Sequence, residues 1–188
     1  MRAKDRTSTQ TDHSRRPLLL VDIDGVISLF ARQVPPASAP AALRSAPASA
    51  SLHSIDGILH YLSADAARHL LSLARVFDLV WASGWEEKAD EYLPHLLGVP
   101  AGLPFLRFSP RARRGSAGGL SVDAHWKLDA VDAYVEDRAL AWIDDAFDES
   151  CHTWATARRA PTLLVPTEPE RGLTGAEALR LEAWAAEL

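Results

Sequence analysis

The chain has 188 residues and a mass of 20.5 kDa, and its 47% hydrophobic and 24% charged residues are typical of a folded globular protein of about one domain. The net charge of −5 divides into +3 on residues 1–16, which hold five basic and two acidic side chains, and −8 on the remainder. An acidic body argues against a dedicated DNA-binding domain, and a single cysteine excludes an internal disulfide and a multi-cysteine zinc site.

The beginning of the chain predicts a tail followed by a buried strand. Residues 1–16 are polar and aperiodic, which predicts a disordered basic tail, and residues 17–188 are interpreted as one domain. Asp22 and Asp24 interrupt the apolar run that an export signal would need. Since no stretch approaches the ~20 apolar residues of a membrane span either, we predict a cytoplasmic protein with no membrane partner.

Strands and helices alternate along the domain. Short continuous apolar runs predict strands buried on both faces at Leu18–Val21 and residues 77–82, 139–143 and 161–165, with residues 103–108 as a candidate fifth. The alternation favours an α/β fold, a three-layer Rossmann-like and mainly parallel sheet with helices on both faces.

Five amphipathic patterns predict the helices. Ser63 caps the first, whose apolar stripe is Ala67, Leu70, Leu71 and Ala74. Residues 86–97 form the second, and Asp123 opens the third, which carries Ala124, Leu128, Val131 and Val135 on one face. The fourth covers residues 147–157, and the last runs from a capping box of Thr174 and Glu177 to Leu188.

One segment, residues 27–62, departs from the alternation and predicts a small flap. Residues 27–33 and 57–62 are expected to pair as a hairpin after the first strand. The Pro/Ala/Ser-rich residues 35–51 between them predict a mobile loop.

Polar side chains follow the predicted strands at the points where the strands end. Asp22 and Asp24 follow the first strand, Ser83 follows the second, and Asp144 and Asp145 follow the strand over residues 139–143. Lys127 lies in the first turn of the third helix. In a parallel sheet these positions converge on one edge. Crowded carboxylates stay ionised most easily around a hard cation such as Mg²⁺, while a hydroxyl, backbone N–H groups and an ammonium suit a phosphate. The set therefore predicts Mg²⁺-dependent phosphoryl transfer.

These residues, in this order, resemble motifs I to IV of the haloacid dehalogenase (HAD) superfamily, over about residues 17–166, in a compact form without a large cap domain. The resemblance implies that Asp22 is the nucleophile and Asp24 the general acid and base. It implies that Ser83, Gly84 and Lys127 bind the phosphoryl group. It also implies that Asp22, the Asp24 carbonyl, Asp144 and Asp145 hold Mg²⁺, with Asp148 as an alternative to Asp145.

Each motif also has a purely structural interpretation. Asp22 and Asp24, and likewise Asp144 and Asp145, could be strand-end turns. Ser83 has capping-box spacing to Glu86, and Lys127 has helix-pair spacing to Asp123. A cation in a first helical turn opposes the helix dipole, however, so a nearby anion would explain Lys127 better.

Residues outside the four motifs carry weaker signals. Arg107, Arg111, Arg113 and Arg114 form a basic loop that either binds further phosphates, with Arg113 and Arg114 as the candidates, or is simply solvated. Trp85 and Trp126 flank the motifs and are interpreted as core residues or as stacking surfaces. Of the seven histidines, only His125 is expected near the site, and Cys151 is expected in the core.

The predicted function is a phosphatase that hydrolyses a phosphate monoester through an aspartyl-phosphate, with Mg²⁺ as cofactor. A phosphotransferase and a non-catalytic phosphate-binding or regulatory module are the alternatives. The expected partner is a phosphorylated substrate, either a small molecule or a macromolecular end. Members of the superfamily without large caps often act on macromolecules, which leaves a nucleic-acid end among the candidates.

Overall fold

The architecture is given by a computed structural model that describes residues 16–30, 49–109 and 125–188. Seven strands are present in this part of the chain: β1 Leu18–Val21, β2 Ser28–Leu29, β3 Ala50–Ile55, β4 Ile58–Ser63, β5 Asp78–Trp81, β6 Leu140–Asp144 and β7 Thr162–Pro166. The helices of the described residues are α1 Ala64–Leu73, α2 Lys88–Leu97, α3 Leu128–Val135, α4 Glu149–Ala157 and α5 Gly175–Ala186. The described residues include no helix with the length and apolar character needed to cross a membrane.

The main sheet is parallel, as predicted, and has the strand order β5-β1-β6-β7. Leu20 of β1 pairs with Val80 on one side and with Trp142 on the other. After β1, the chain places β5 on one side of β1. It then crosses to the other side of β1, where β6 and β7 lie. The order therefore reverses between β1 and β6, and such a switch point opens a crevice at the carboxyl ends of the strands.

Helices cover both faces of this sheet, which confirms the predicted three layers. Alternate residues of β1 point to opposite faces. Leu19 and Val21 join a core cluster with residues of α1, α2 and α5, whereas Leu18 and Leu20 join a second cluster with α3 and α4. Every residue of β1 and β6 is buried, as expected for strands covered on both sides.

The second sheet is small and antiparallel, with the order β2-β4-β3. The predicted pairing of residues 27–33 with 57–62 is present at two positions, where Ser28 pairs with Leu62 and Leu29 with Tyr61. However, the predicted loop 35–51 extends two residues too far, because β3 begins at Ala50 and pairs along its whole length with β4. Asp56 and Gly57, both with positive φ, make the two-residue turn between them. Residues 31–48 lie outside the described residues.

Several predicted boundaries need correction. Residues 103–108 form only a single bridge, Phe105 to Trp81, instead of a fifth strand. Pro104 has no N–H to extend a ladder, and the Phe108 N–H donates to Glu86 Oε1. On α1, Leu70 is buried as expected but Leu71 is 43% exposed, because the buried stripe runs through Ala66, Ala67, Leu70 and Leu73.

The remaining predicted helices are present, but α2, α3 and α4 begin later than predicted, at Lys88, Leu128 and Glu149. Leu128, Val131 and Val135 share the buried face of α3, while the predicted start at Asp123 and Ala124 lies outside the described residues. Cys151 on α4 is fully buried. Thr174 and Glu177 form the predicted capping box at the start of α5, which ends at Ala186, two residues earlier than expected.

Candidate active site

A buried lysine joins two buried aspartates at the switch point of the sheet. Asp22 follows β1, Asp144 ends β6, and Lys127 immediately precedes α3; the three are 6%, 0% and 2% exposed. Lys127 Nζ lies 2.6 Å from Asp22 Oδ2 and 2.7 Å from Asp144 Oδ2. The sequence prediction that these three residues converge is therefore what the geometry shows.

The two aspartates are oriented by further hydrogen bonds. Asp22 Oδ1 accepts the N–H of Ile23 at 2.8 Å. Asp144 accepts the Trp142 indole N–H at 3.2 Å and the Ala146 N–H at 3.1 Å. Both carboxylates are therefore held in fixed orientations, because backbone or ring N–H groups bind them in addition to Lys127.

Lys127 lies just before α3, and not within its first turn as was predicted, because the helix begins at Leu128. It is the N-cap residue of α3 rather than a member of the first turn, and its carbonyl accepts the N–H of Val131. A turn over residues 125–128, closed by a Leu128 N–H to His125 O bond, aims it at the sheet. An ammonium at a helix N-terminus is unfavourable alone, so the facing carboxylates compensate for its position. Its alternative partner, Asp123, lies outside the described residues.

Burial sets the ionisation of this group of residues. Burial raises the pKa of Asp22 to about 7, with Asp144 adding to the rise and Lys127 opposing it. The pKa of Asp145 is also raised, first by burial and then by Asp144. Burial opposes the charge of Lys127, yet Asp22 and Asp144 together raise its pKa above the usual value. The ammonium is consequently a permanent charge at this site.

Three carboxylates form a cluster with the composition of a metal site. One oxygen from each of Asp22, Asp144 and Asp145 lies within 4.8 Å of the other two. Gly25 makes room for the third, because a Cβ on Gly25 would lie 2.3 Å from Asp145 Oδ2. Three acidic side chains therefore meet one ammonium in a largely buried place. All-oxygen donors are those that hard divalent cations prefer, so the residues present fit a divalent metal ion.

Asp24 occupies a different setting, near the surface. Its side chain is 41% exposed, Oδ2 accepts the indole N–H of Trp85 at 3.0 Å, and Oδ1 lies 3.9 Å from His60 Nδ1. His60 was not among the predicted residues of the site, since of the histidines only His125 was expected there. The predicted pairing of residues 27–33 with 57–62 was the available signal, since β4 brings His60 to residues 24–28 by pairing with β2.

Ser83 follows β5 at the same edge of the sheet at which β1 ends. Val21 pairs with Trp81, and the Ala82 N–H donates to Val21 O, so Ser83 continues the chain alongside residue 23. The alternative that Ser83 caps a helix is wrong, because α2 begins at Lys88 and its N-cap is Glu87. Ser83 is 1% exposed, and its carbonyl accepts the Glu86 N–H. Gly84 next to it lies against Trp126.

The other candidates fall at separate places. Asp148 is the N-cap of α4, where its side chain accepts the N–H groups of Ser150 and Cys151. Trp126 is partly buried against Phe108, with ring centroids 4.7 Å apart. Arg107 is exposed, stacks over Phe105 and lies 3.8 Å from Glu87. Arg111, Arg113 and Arg114 lie outside the described residues.

A parallel sheet with aspartates and a lysine at its switch point has the architecture of a HAD-like domain. A family model described as the HAD domain in Swiss Army Knife RNA repair proteins matches residues 18–178. The chain therefore belongs to this family. The HAD domain supports a hydrolase function of the phosphatase type. No curated protein matches the chain.

Proposed function

We propose that this protein is a Mg²⁺-dependent phosphatase that removes a terminal phosphate monoester through a phosphorylated Asp22. The observation that carries the proposal is the buried triplet of Asp22, Lys127 and Asp144 at the switch point of the sheet. Two buried carboxylates that share one ammonium provide a nucleophile and a charge-stabilising cation within one hydrogen bond of each other.

The reaction takes two steps. In the first, an Asp22 carboxylate oxygen attacks phosphorus, the bond from phosphorus to the leaving oxygen breaks, and Asp24 donates a proton to that oxygen. In the second, water attacks the aspartyl-phosphate, Asp24 accepts the water proton, and inorganic phosphate leaves. Asp22 and Asp24 are then restored, and the net change is hydrolysis of one ester bond.

Other residues of the site would hold the transferred group. Lys127 stabilises negative charge that develops on the phosphoryl oxygens. Ser83 and Gly84 bind the same oxygens through a hydroxyl and backbone N–H groups. Asp22, Asp144, Asp145 and the Asp24 carbonyl would hold Mg²⁺, which when bound neutralises charge on the phosphate and on the carboxylates around it.

We assign the substrate to the class of RNA ends that carry a terminal phosphate. The support is the family to which the chain belongs, which is described from RNA repair proteins. Arg107 adds an exposed cation beside the carboxyl end of β5, where the segment after the Phe105–Trp81 bridge begins. Arg113 and Arg114 would contact further phosphates of such a polyanion.

The test is phosphate release with and without Mg²⁺ from 5′- and 3′-phosphorylated oligoribonucleotides, small sugar phosphates and 4-nitrophenyl phosphate. We compare the wild type with Asp22→Asn and with Asp129→Asn, a matched change of an exposed aspartate on α3. Wild type and Asp129→Asn should release phosphate only with Mg²⁺, and Asp22→Asn should release none.

Each alternative function has its own outcome in the same experiment. Activity that survives in Asp22→Asn would show that the nucleophile is another residue. Loss of ester without inorganic phosphate would indicate transfer to an acceptor, and binding without turnover would indicate a regulatory module. For the substrate class, an Arg113→Glu/Arg114→Glu variant should lose activity on RNA ends but keep it on 4-nitrophenyl phosphate.

A further inference from the structure

Asp24 is held by a neutral ring rather than by a cation. The Trp85 indole N–H donates to Asp24 Oδ2 at 3.0 Å, whereas Asp22 and Asp144 both contact the Lys127 ammonium. An indole nitrogen is a donor only and carries no charge. It can therefore fix the direction of the carboxylate without acting as a counter-ion, while the other oxygen, Oδ1, lies 3.9 Å from His60 Nδ1.

The Trp85 ring is itself held by the hairpin. His60 of β4 contacts it edge-on, with ring centroids 4.8 Å apart and an interplanar angle of 68°. His60 Nδ1 lies 2.9 Å from Ser28 Oγ, and Ser28 is 3% exposed in β2. Trp85 also packs against the larger core cluster of the main sheet.

The contacts join three segments that are distant in sequence: the turn after β1, the hairpin and the turn after β5. We propose that Trp85 positions Asp24 for proton transfer to the leaving oxygen, and that His60 positions Trp85. This inference rests on the proposed phosphatase reaction and adds two residues to it. Neither residue touches the phosphoryl group in this role, since both act through Asp24.

A change at Trp85 should therefore depend on the leaving group of the ester. Departure of an alkoxide requires protonation, whereas 4-nitrophenolate is a stable anion and departs without it. General acid catalysis contributes about 10²–10⁴-fold where a proton is needed. Misalignment of Asp24 should remove a part of that factor for alkyl esters and leave aryl esters nearly unchanged.

The experiment measures kcat/KM of Trp85→Phe on an alkyl phosphate, such as a ribose phosphate, and on 4-nitrophenyl phosphate. We expect a loss of at least about tenfold on the alkyl ester, a fraction of the general-acid factor, and little change on the aryl ester. His60→Ala should show the same pattern more weakly, and His60→Phe, which keeps an aromatic edge against Trp85, should restore much of the loss.

A matched control exists elsewhere in the chain. Trp154 Nε1 donates to Asp132 Oδ1 at 2.7 Å in an exposed contact between α4 and α3. Trp154→Phe removes the same kind of hydrogen bond and should leave both esters unaffected. An indole ¹H–¹⁵N spectrum adds a readout that does not require activity: Asp24→Asn should shift the Trp85 signal and not the Trp154 signal.

The outcomes separate this inference from the proposed function. The inference would be overturned if a folded Trp85→Phe protein lost equal activity on both esters, or if Asp24→Asn did not shift the Trp85 indole signal. Neither result would contradict the proposed phosphatase function. A wild type that hydrolyses neither these esters nor phosphorylated RNA would overturn both.

Discussion

Lys127 is the residue on which the charge balance of the site depends. Its ammonium contacts Asp22 and Asp144, and all three side chains are nearly inaccessible to water. A buried ion pair gives little net stability, but removal of one partner leaves an unpaired buried charge that costs about 3–5 kcal/mol. In the proposed reaction, the same ammonium would face the position where phosphoryl charge develops.

We therefore expect Lys127→Ala to lose both activity and stability. The loss of transition-state charge stabilisation should lower kcat/KM by about 10²–10³-fold, and urea denaturation should show the stability cost given above. Lys88→Ala, which breaks an exposed pair with Asp56 on the hairpin turn, serves as the control. Wild-type turnover in a folded Lys127→Ala protein would contradict the assigned role.

At this scale, Lys127 and the residues that end strands could be predicted from the sequence, whereas His60 could not. Asp22 and Asp144 could be found because each ends a continuous apolar run, and parallel strands place such ends together. His60 could not be found in this way, because only the pairing of β4 with β2 brings it to Asp24. The contact depends on strand register, which composition does not reveal.

Among the elements, the hairpin of β3 and β4 is one that apolar patterns do not predict. Most of β3 is exposed or half-buried, so it has no apolar run to distinguish it from the Pro/Ala/Ser-rich segment before it. A stronger local signal was present in Asp56-Gly57, a two-residue turn flanked by Ile55 and Ile58. The Lys88 ammonium and Tyr92 hydroxyl, both from α2, contact Asp56 and tie this turn to the main domain.

The capping box of α5 gives a prediction at the scale of an element. The Thr174 side chain and backbone N–H donate to Glu177. Although burial opposes it, these hydrogen bonds lower the pKa of Glu177 below its usual value of 4.5. A lowered folded-state pKa means that the stabilisation is present above pH 4.5 and is lost as the pH falls through the lower value.

Glu177→Gln should therefore flatten the acid side of the stability curve. Thermal unfolding measured from pH 7 to pH 3 should show a smaller decrease below pH 4.5 for this variant than for the wild type. Glu182→Gln, in the middle of the same helix, should keep the wild-type slope. Equal slopes for all three proteins would show that the box contributes nothing that depends on protonation.

For the whole molecule, the strand order decides where chemistry can occur. The fold could be predicted from the alternation of apolar runs and amphipathic patterns, because parallel strands need crossover helices. The position of the crevice between β1 and β6 follows from the strand order, which the sequence does not state. The cluster of aspartates is a consequence of this order, since Asp22 and Asp145 follow the two strands that flank the crevice.

Mg²⁺ binding should therefore stabilise the whole protein. A ligand that binds only the folded state adds about 2.7 kcal/mol at a free concentration 100 times its Kd, so Tm should rise with Mg²⁺ and fall again on chelation. Asp145→Asn should weaken this response. Asp148→Asn keeps a good helix cap on α4 and should retain it.

The opposite pattern, with Asp148→Asn losing the response and Asp145→Asn keeping it, would assign the metal to the alternative aspartate. A Tm that does not change with Mg²⁺ in the wild type would remove the metal from the proposed mechanism.

The central position of β1 in the sheet also determines when its two edges can be paired during synthesis. β1 is made first and can pair with β5 on one side, but its other edge pairs with β6, which leaves the ribosome much later. Until then the nascent chain presents an open strand edge, and Asp22 has neither Lys127 nor Asp144 beside it. The first strand thus depends on the last third of the chain to close its hydrogen bonds and to neutralise its charge.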